Sequence, residues 1–313
     1  MNRQDIATAA GRFGSDARHF IRRTPMWQLP GAALGVDCAE VWLKLEHLQV
    51  SGSFKARGMY NRLLAHRIPA SGVIVASGGN AGIATAAAAR ALGVKCEVFV
   101  PTLSSPAKQQ KLRELGADVV VTGTVYAEAL EACLARQRVT GALLTHAYDQ
   151  PEVVAGAGTI AMEIEEQGGR APEAVLVSVG GGGLIAGVAA WFEQRSRVIA
   201  LEPELAPTLY RARVAGEPED VAVSGIAADS LGARRVGAIA WDIAARHVAD
   251  ALLLPDDAIR AAQLALWKEF KLAVEPAAAL GLAALHTRAY VPRKGETVAL
   301  IVCGANVDPA TLA

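Results

Sequence analysis

Short apolar runs alternate with stretches of helical period along most of the chain, and small or turn-forming residues separate them. Residues 41–46 read as a strand, and 59–64 as a helical pattern. A repeating unit then begins: strand 73–76, loop 77–82, an alanine-rich helix 83–92 stopped by Gly93, and strand 95–100 ended by Pro101. Ser105-Pro106 opens the next helix, since proline is tolerated in a first turn, and Gly116 stops it. Strand 118–122 and helix 127–136 follow. After Asp149-Gln150-Pro151 the order resumes as helix 156–167, strand 175–179, helix 184–194 and strand 198–201. Helices at 258–270 and 277–285 and a last strand at 298–302 complete the pattern. Residues 1–22 read as a helix ended by Arg22-Arg23-Thr24-Pro25, and 217–232 take no assignment. Strand and helix alternating through short connections predict an α/β protein with parallel sheet covered on both faces. No low-complexity tail or long linker interrupts the pattern, so a second domain has to be folded back into the first.

Composition narrows the class. A chain of 313 residues suits two α/β domains, and 52% hydrophobic with 20% charged residues supplies a core and excludes disorder. Thirty-one basic side chains balance 31 acidic ones, which argues against a nucleic-acid-binding stripe. Cys38, Cys96, Cys133 and Cys303 form no CxxC pair and no metal spacing, as expected in a reducing compartment. The histidines include no HExxH. The longest apolar stretch, 175–192, is broken by Ser178 and four glycines and reads as strand, turn and helix rather than a membrane span. The first ten residues carry Arg3 and Asp5 and lack the apolar segment of a signal peptide. The expectation is a soluble cytoplasmic protein with no membrane or nucleic-acid partner.

Ligands of open α/β sheets sit beyond the carboxyl ends of the strands, where three glycine-rich loops fall: 77–82, 180–183 and 303–306. Gly180, Gly181, Gly182 and Gly183 join a strand to a helix. Without Cβ atoms, successive N–H groups can wrap an anion at a helix N-terminus. Close helix–strand packing needs one or two glycines rather than four, so a phosphate cup is the better reading. A dinucleotide site is the rival: Gly181-x-Gly183-x-x-Ala186 fits its fingerprint loosely, with Glu202 placed for a ribose. That rival leaves Lys55 and the 77–82 loop idle, whereas a cofactor with one phosphate and an aldehyde uses both. Lys55 lies in Ser51-Gly52-Ser53-Phe54-Lys55-Ala56-Arg57-Gly58, whose small residues allow a tight turn and a close approach to a ligand. A helix start disfavours a cation, and a desolvated lysine becomes a nucleophilic amine. Taken alone, the stretch fits a surface lysine beside a flexible turn equally well. Asn80 and Ser77 each read as a helix cap or turn residue as well as a ligand-binding group.

Together, Ser51-Gly52-Ser53-Phe54-Lys55, Ser77-Gly78-Gly79-Asn80-Ala81-Gly82, Ser178-Val179-Gly180-Gly181-Gly182-Gly183-Leu184, Glu275-Pro276 and Ile301-Val302-Cys303-Gly304 resemble the serine/threonine dehydratases. These are pyridoxal-phosphate enzymes of the tryptophan-synthase β type (fold type II), and the motifs stand in family order across nearly the whole chain. The four-glycine loop and the cysteine are most similar to the mammalian-type L-serine dehydratase branch. The resemblance implies two open, twisted, mostly parallel sheets flanked by helices, with a small domain at 53–150, a large one at 1–52 and 151–313, and a homodimer. No C-terminal regulatory domain is expected.

By position, the resemblance implies that Lys55 holds pyridoxal 5'-phosphate covalently and that Phe54 packs beside its ring. Asn80 would bond its phenolic oxygen, Gly180, Gly181, Gly182, Gly183 and Leu184 its phosphate, and Cys303 would face its pyridine nitrogen. Ser77, Gly78, Gly79, Asn80 and Ala81 would grip the carboxylate of an amino-acid substrate. Lys55 would remove the Cα proton, the β-hydroxyl would leave with a proton from the cofactor phosphate, and a 2-oxo acid and ammonia would result. Asp229, in Ala228-Asp229-Ser230, resembles part of a substrate pocket. Cys303, a weak hydrogen-bonding thiol, leaves the ring a weaker electron sink, which favours prompt elimination. Gly78 stands where related serine racemases carry a serine base, so racemisation is expected to be slow and the pocket looser. Glu202, Ala206 and Thr208 match positions around the family's cation site, with Leu231 and Ala233 as further carbonyls. The threonine favours a monovalent ion such as K+ over Mg2+, and a strand-end cap is the alternative role of Glu202. The functional expectation is an L-serine/L-threonine ammonia-lyase. The rivals are a serine racemase or β-replacement enzyme of the same fold, a nicotinamide-dependent dehydrogenase, and a non-catalytic amino-acid-binding protein.

Overall fold

The computed structural model describes residues 1–312. Ten strands form two sheets among the described residues: β1 (Met26–Pro30), β2 (Glu40–Lys44), β3 (Val73–Ala76), β4 (Cys96–Val100), β5 (Asp118–Val121), β6 (Leu143–Thr145), β7 (Ala174–Ser178), β8 (Arg197–Pro203), β9 (Val248–Leu254) and β10 (Thr297–Ile301). The larger sheet runs β1-β2-β10-β7-β8-β9 and the smaller β5-β4-β3-β6. Every pairing is parallel except β1 with β2. Helices cover both faces, so central strands such as β3 and β7 are buried throughout, which is why they read as unbroken apolar runs.

The sequence pattern placed most elements within a few residues and missed three strands. β1 is an edge strand ending in proline, β6 has three residues, and β9 follows the helix Ala238–His247 with no breaker between them. The helices Thr208–Ala215 and Ala238–His247 were likewise not anticipated. The first helix is shorter than expected. It spans Arg3–Ser15 behind an Asn2/Asp5 capping box and stops at Asp16, well before Arg22.

The helix Pro151–Gly168 sets the geometry between the sheets. A Cβ on Gly156 would lie 2.5 Å from the carbonyl oxygen of Arg57, and one on Gly187 would lie 2.5 Å from the amide nitrogen of Gly158. Both the helix Lys55–Leu64 and the helix Gly183–Phe192 therefore approach this one helix to near backbone contact. A buried ion network reinforces the first of these crossings. Arg57 pairs with Glu46 at 2.8 Å and Glu163 at 2.7 Å, and Lys44 pairs with Glu163 at 2.6 Å. No described helix is long and apolar enough to cross a membrane.

Candidate active site

Lys55 is the first residue of its helix, and its amine donates to the carbonyl oxygen of Ala147 at 2.6 Å. Burial pushes its pKa down to about 8, because the ammonium loses hydration that one neutral carbonyl does not replace. The turn that presents this carbonyl is folded around His146, whose Nδ1 accepts the N–H groups of Tyr148 (3.4 Å) and Asp149 (3.0 Å). Burial lowers the histidine's pKa, which keeps that nitrogen an acceptor.

One cleft gathers Phe54, Lys55, Asn80, Tyr148, the loop from Gly180 to Leu184, Glu275 and Cys303. In the tetraglycine loop the N–H groups of Gly180, Gly181 and Gly182 have no acceptor among the described residues, and the first helical bond beyond them is Ala186 N–H to the Gly182 carbonyl. Unpartnered donors at a helix start, where the dipole also favours negative charge, can hold an anion. Two of the glycines have distinct reasons. Gly182 sits at φ +88°, and a Cβ on Gly181 would lie 2.3 Å from the Tyr148 ring. Tyr148 thus packs on the loop where a side chain would otherwise stand.

Phe54 and Cys303 meet through the backbone: the Phe54 N–H donates to the Cys303 carbonyl at 3.0 Å beside a Ser53–Gly304 bridge. Cys303 is buried, and burial drives its thiol pKa well above the usual value, so it is a neutral SH. Asn80 does not cap its helix; the cap position is Gly79. The Asn80 amide nitrogen lies 2.9 Å from both carboxylate oxygens of Glu275, and its oxygen accepts from Asn306 at 2.7 Å. Burial raises the pKa of the Glu275 carboxyl, against the hydrogen bonds from Asn80 and Asn306.

Ser77, Gly78 and Gly79 form the turn into the helix Asn80–Leu92, and Ala81 is buried in its first turn. Ser77 Oγ accepts the Gly79 N–H at 3.3 Å, a turn-serine role. The space beside Gly78 is not loose as expected. A Cβ there would lie 2.8 Å from Ser104 Oγ, a buried hydroxyl with no partner among the described residues. Asp229 is exposed and pairs with Lys108. Glu202, Ala206 and Thr208 cluster outside the cleft lining. The Glu202 oxygens accept the N–H groups of Leu209 (2.8 Å) and Tyr210 (2.7 Å), and Thr208 Oγ1 lies 2.8 Å from Glu202 and 2.6 Å from the Gly180 carbonyl. Glu202 therefore caps the helix Thr208–Ala215 from the end of β8, while Thr208 links it to the tetraglycine loop.

Sequence reasoning gave no site role to Glu275, Asn306, Tyr148 or Ala147. For Glu275 a signal was present: an acidic residue before a helix-opening proline, Pro276, in an otherwise apolar stretch.

A family model described as "Pyridoxal-phosphate dependent enzyme" matches residues 17–304. An L-threonine ammonia-lyase of Thermotoga maritima is 35% identical over 280 residues, covering 87% of this chain and 69% of the relative. Among solved structures, a threonine deaminase of T.th. superposes with a TM-score of 0.89 at 35% identity, over 98% of this chain and 99% of that one. Maize serine racemase superposes with a TM-score of 0.91 at 28% identity, over 99% and 95%.

Proposed function

This chain belongs to the pyridoxal-phosphate-dependent enzyme family, and from that premise we propose that it is an L-serine/L-threonine ammonia-lyase, eliminating the β-hydroxyl of its substrate to yield a 2-oxo acid and ammonia. The observation that carries this reading is a single cleft holding a lysine amine lowered to about 8, a row of unpartnered loop N–H groups and a neutral buried thiol. The relatives named ammonia-lyase and deaminase also share more sequence with the chain than the racemase does.

The residues fit the cofactor. The free N–H groups of the 180–184 loop suit its phosphate, Lys55 its aldehyde, Phe54 a ring face, Asn80 the phenolic oxygen and Cys303 the ring nitrogen. When bound, the group supplies an electron sink for the charge released at the substrate Cα. Lys55 Nζ, neutral in about half of the molecules near pH 8, accepts the Cα proton as general base. The N–H groups at the start of the helix Asn80–Leu92, with Ser77, hold the substrate carboxylate. The neutral Cys303 thiol would face the ring nitrogen of the bound group and give it only a weak partner, which would favour elimination over racemisation.

Several finer points belong to the same proposal. A monovalent cation such as K+, rather than Mg2+, would be held near Glu202, Ala206 and Thr208, largely by carbonyl oxygens. The smaller sheet lies within a small domain at about 53–150, the protein is a homodimer, and it degrades amino acids in the cytoplasm. The four free cysteines suit that compartment.

Ketoacid release across a panel of β-hydroxy amino acids tests the reaction. Serine or threonine should be turned over, and Lys55→Ala should lose both turnover and the borohydride-fixed cofactor. Full activity in that variant defeats the reading. Maize serine racemase and the Ser104 hydroxyl beside Gly78 keep one rival in view, so the same incubations should be resolved chirally. D-Serine forming faster than ketoacid would favour the racemase.

A further inference from the structure

Asn80 is pinned by two residues that lie far from it in sequence. An amide offers two N–H donors and one oxygen. Glu275 engages the nitrogen with both oxygens, and Asn306 donates to the oxygen, which sets the flip of the amide. The two oxygens of one carboxylate lie too close together to align with both N–H directions of a planar amide, so they share one N–H and leave the other for a ligand. Asn306 is itself held on every side. Its Nδ2 donates to the Ser51 carbonyl at 2.9 Å, its backbone N–H donates to Glu275 at 2.9 Å, and its Oδ1 accepts from Lys111 at 2.6 Å.

The lysine motif is shaped around this side chain. Gly52 sits at φ +76°, and a Cβ there would lie 2.8 Å from Asn306 Oδ1. The Ala305 N–H donates to the Gly52 carbonyl at 2.8 Å. Lys111 reaches in from the helix Pro106–Glu114, which packs on the smaller sheet, so the chain of contacts runs from that helix through Asn306 and Asn80 to Glu275.

We propose that Asn306 and Glu275 are positioning residues that fix the orientation of Asn80 so that its remaining N–H is reserved for the ring oxygen of the cofactor, with Lys111 bracing Asn306 from outside. The inference rests on the pyridoxal-phosphate reading above. A carboxylate suits the Glu275 position because both neighbours, the Asn80 amide and the Asn306 backbone, are donors. An amide there would set donor against donor and turn Asn80 over.

The test is titration of the apoprotein with pyridoxal phosphate, reading affinity and the visible absorption band of the complex. Wild type, Asn306→Ala, Glu275→Gln, Asn80→Ala and Asn80→Ala/Asn306→Ala are compared. Each single variant should weaken binding about tenfold, the size of one lost hydrogen bond in a buried site, and shift the band in the direction that Asn80→Ala does. In the Asn80→Ala background, Asn306→Ala should add less than about twofold, because its effect runs through Asn80. An additive double variant, or an unshifted band, overturns the proposal. Should Asn306→Ala fail to fold, Lys111→Met carries the same cycle with a smaller shift, and additivity there is equally fatal. A wild type that stays colourless with the cofactor overturns the site reading itself, whereas a coloured wild type with indifferent variants overturns only the positioning role.

Discussion

A lysine amine titrating near 8 has a pH signature that a surface lysine lacks. Burial disfavours the ammonium, so the fraction present as nucleophile rises about tenfold per pH unit below the midpoint and levels off above it. Reductive trapping of pyridoxal phosphate on the apoprotein should follow this curve, with a midpoint near 8 rather than in the usual lysine range. Trapping that still climbs steeply above pH 9 would show that Lys55 is solvated, read from the rate of cofactor incorporation. At this scale the sequence was most informative where chemistry is local. The four glycines carry their meaning within a few neighbours, and Lys55 does so only once the 77–82 and 180–183 loops are read beside it. Glu275 and Asn306 do not, because their roles arise only when the chain brings them to Asn80. Gly78 was legible as a missing side chain, but the Ser104 hydroxyl that occupies the space was not.

At the scale of elements, the join between β8 and the helix Thr208–Ala215 decides how the cation proposal can be tested. Burial pushes the Glu202 pKa up to about 7, against the N–H groups of Leu209 and Tyr210 and the Thr208 hydroxyl. A folded value above the unfolded one means stability from this group is present below the ordinary carboxylate range and is lost as pH rises through about 7. A cation beside the ionised carboxylate would offset that loss. Added K+ should therefore raise Tm by about 2 °C or more at pH 8 and less at pH 5.5, and Glu202→Gln should remove the pH dependence of the gain. Equal gains at both pH values, in differential scanning calorimetry with Na+ as control, would leave Glu202 as a helix cap alone. The element was readable as a strand ending in Glu202-Pro203, yet the following helix was not. Its start is set by a carboxylate at the end of the preceding strand, six residues before Thr208, with Pro207 at the cap position making no side-chain bond of its own. β6 and β9 escaped for the same kind of reason, their places being set by neighbouring strands rather than by their own pattern.

At the scale of the molecule, the parallel pairing and the covered faces followed from alternation, because strands buried on both faces announce themselves as apolar runs, whereas the division into two sheets came only from the family resemblance. What joins the lysine helix to the larger sheet was not legible, although one participant, Arg57, stood inside the first motif. Its guanidinium, fully buried, bridges Glu46 just after β2 and Glu163 on the helix Pro151–Gly168, while Lys44 closes the set. The two cations balance two carboxylates in a region where an unpaired charge is costly. Replacing such a set wholesale can be neutral, but removing one member leaves a buried charge without its counterion. Arg57→Leu should accordingly cost about 3–5 kcal/mol in urea unfolding. Deleting one stranded carboxylate as well, in Arg57→Leu/Glu46→Gln, should recover part of the loss, so the pair is strongly non-additive. The Lys55 helix should then hold its place better in the double variant than in the single one, read as cofactor trapping restored toward wild type. A loss below about 1 kcal/mol, the range of exposed pairs, would mean that the helix is held by backbone packing such as the approach of Gly156 to Arg57 and Gly58 rather than by the ion network.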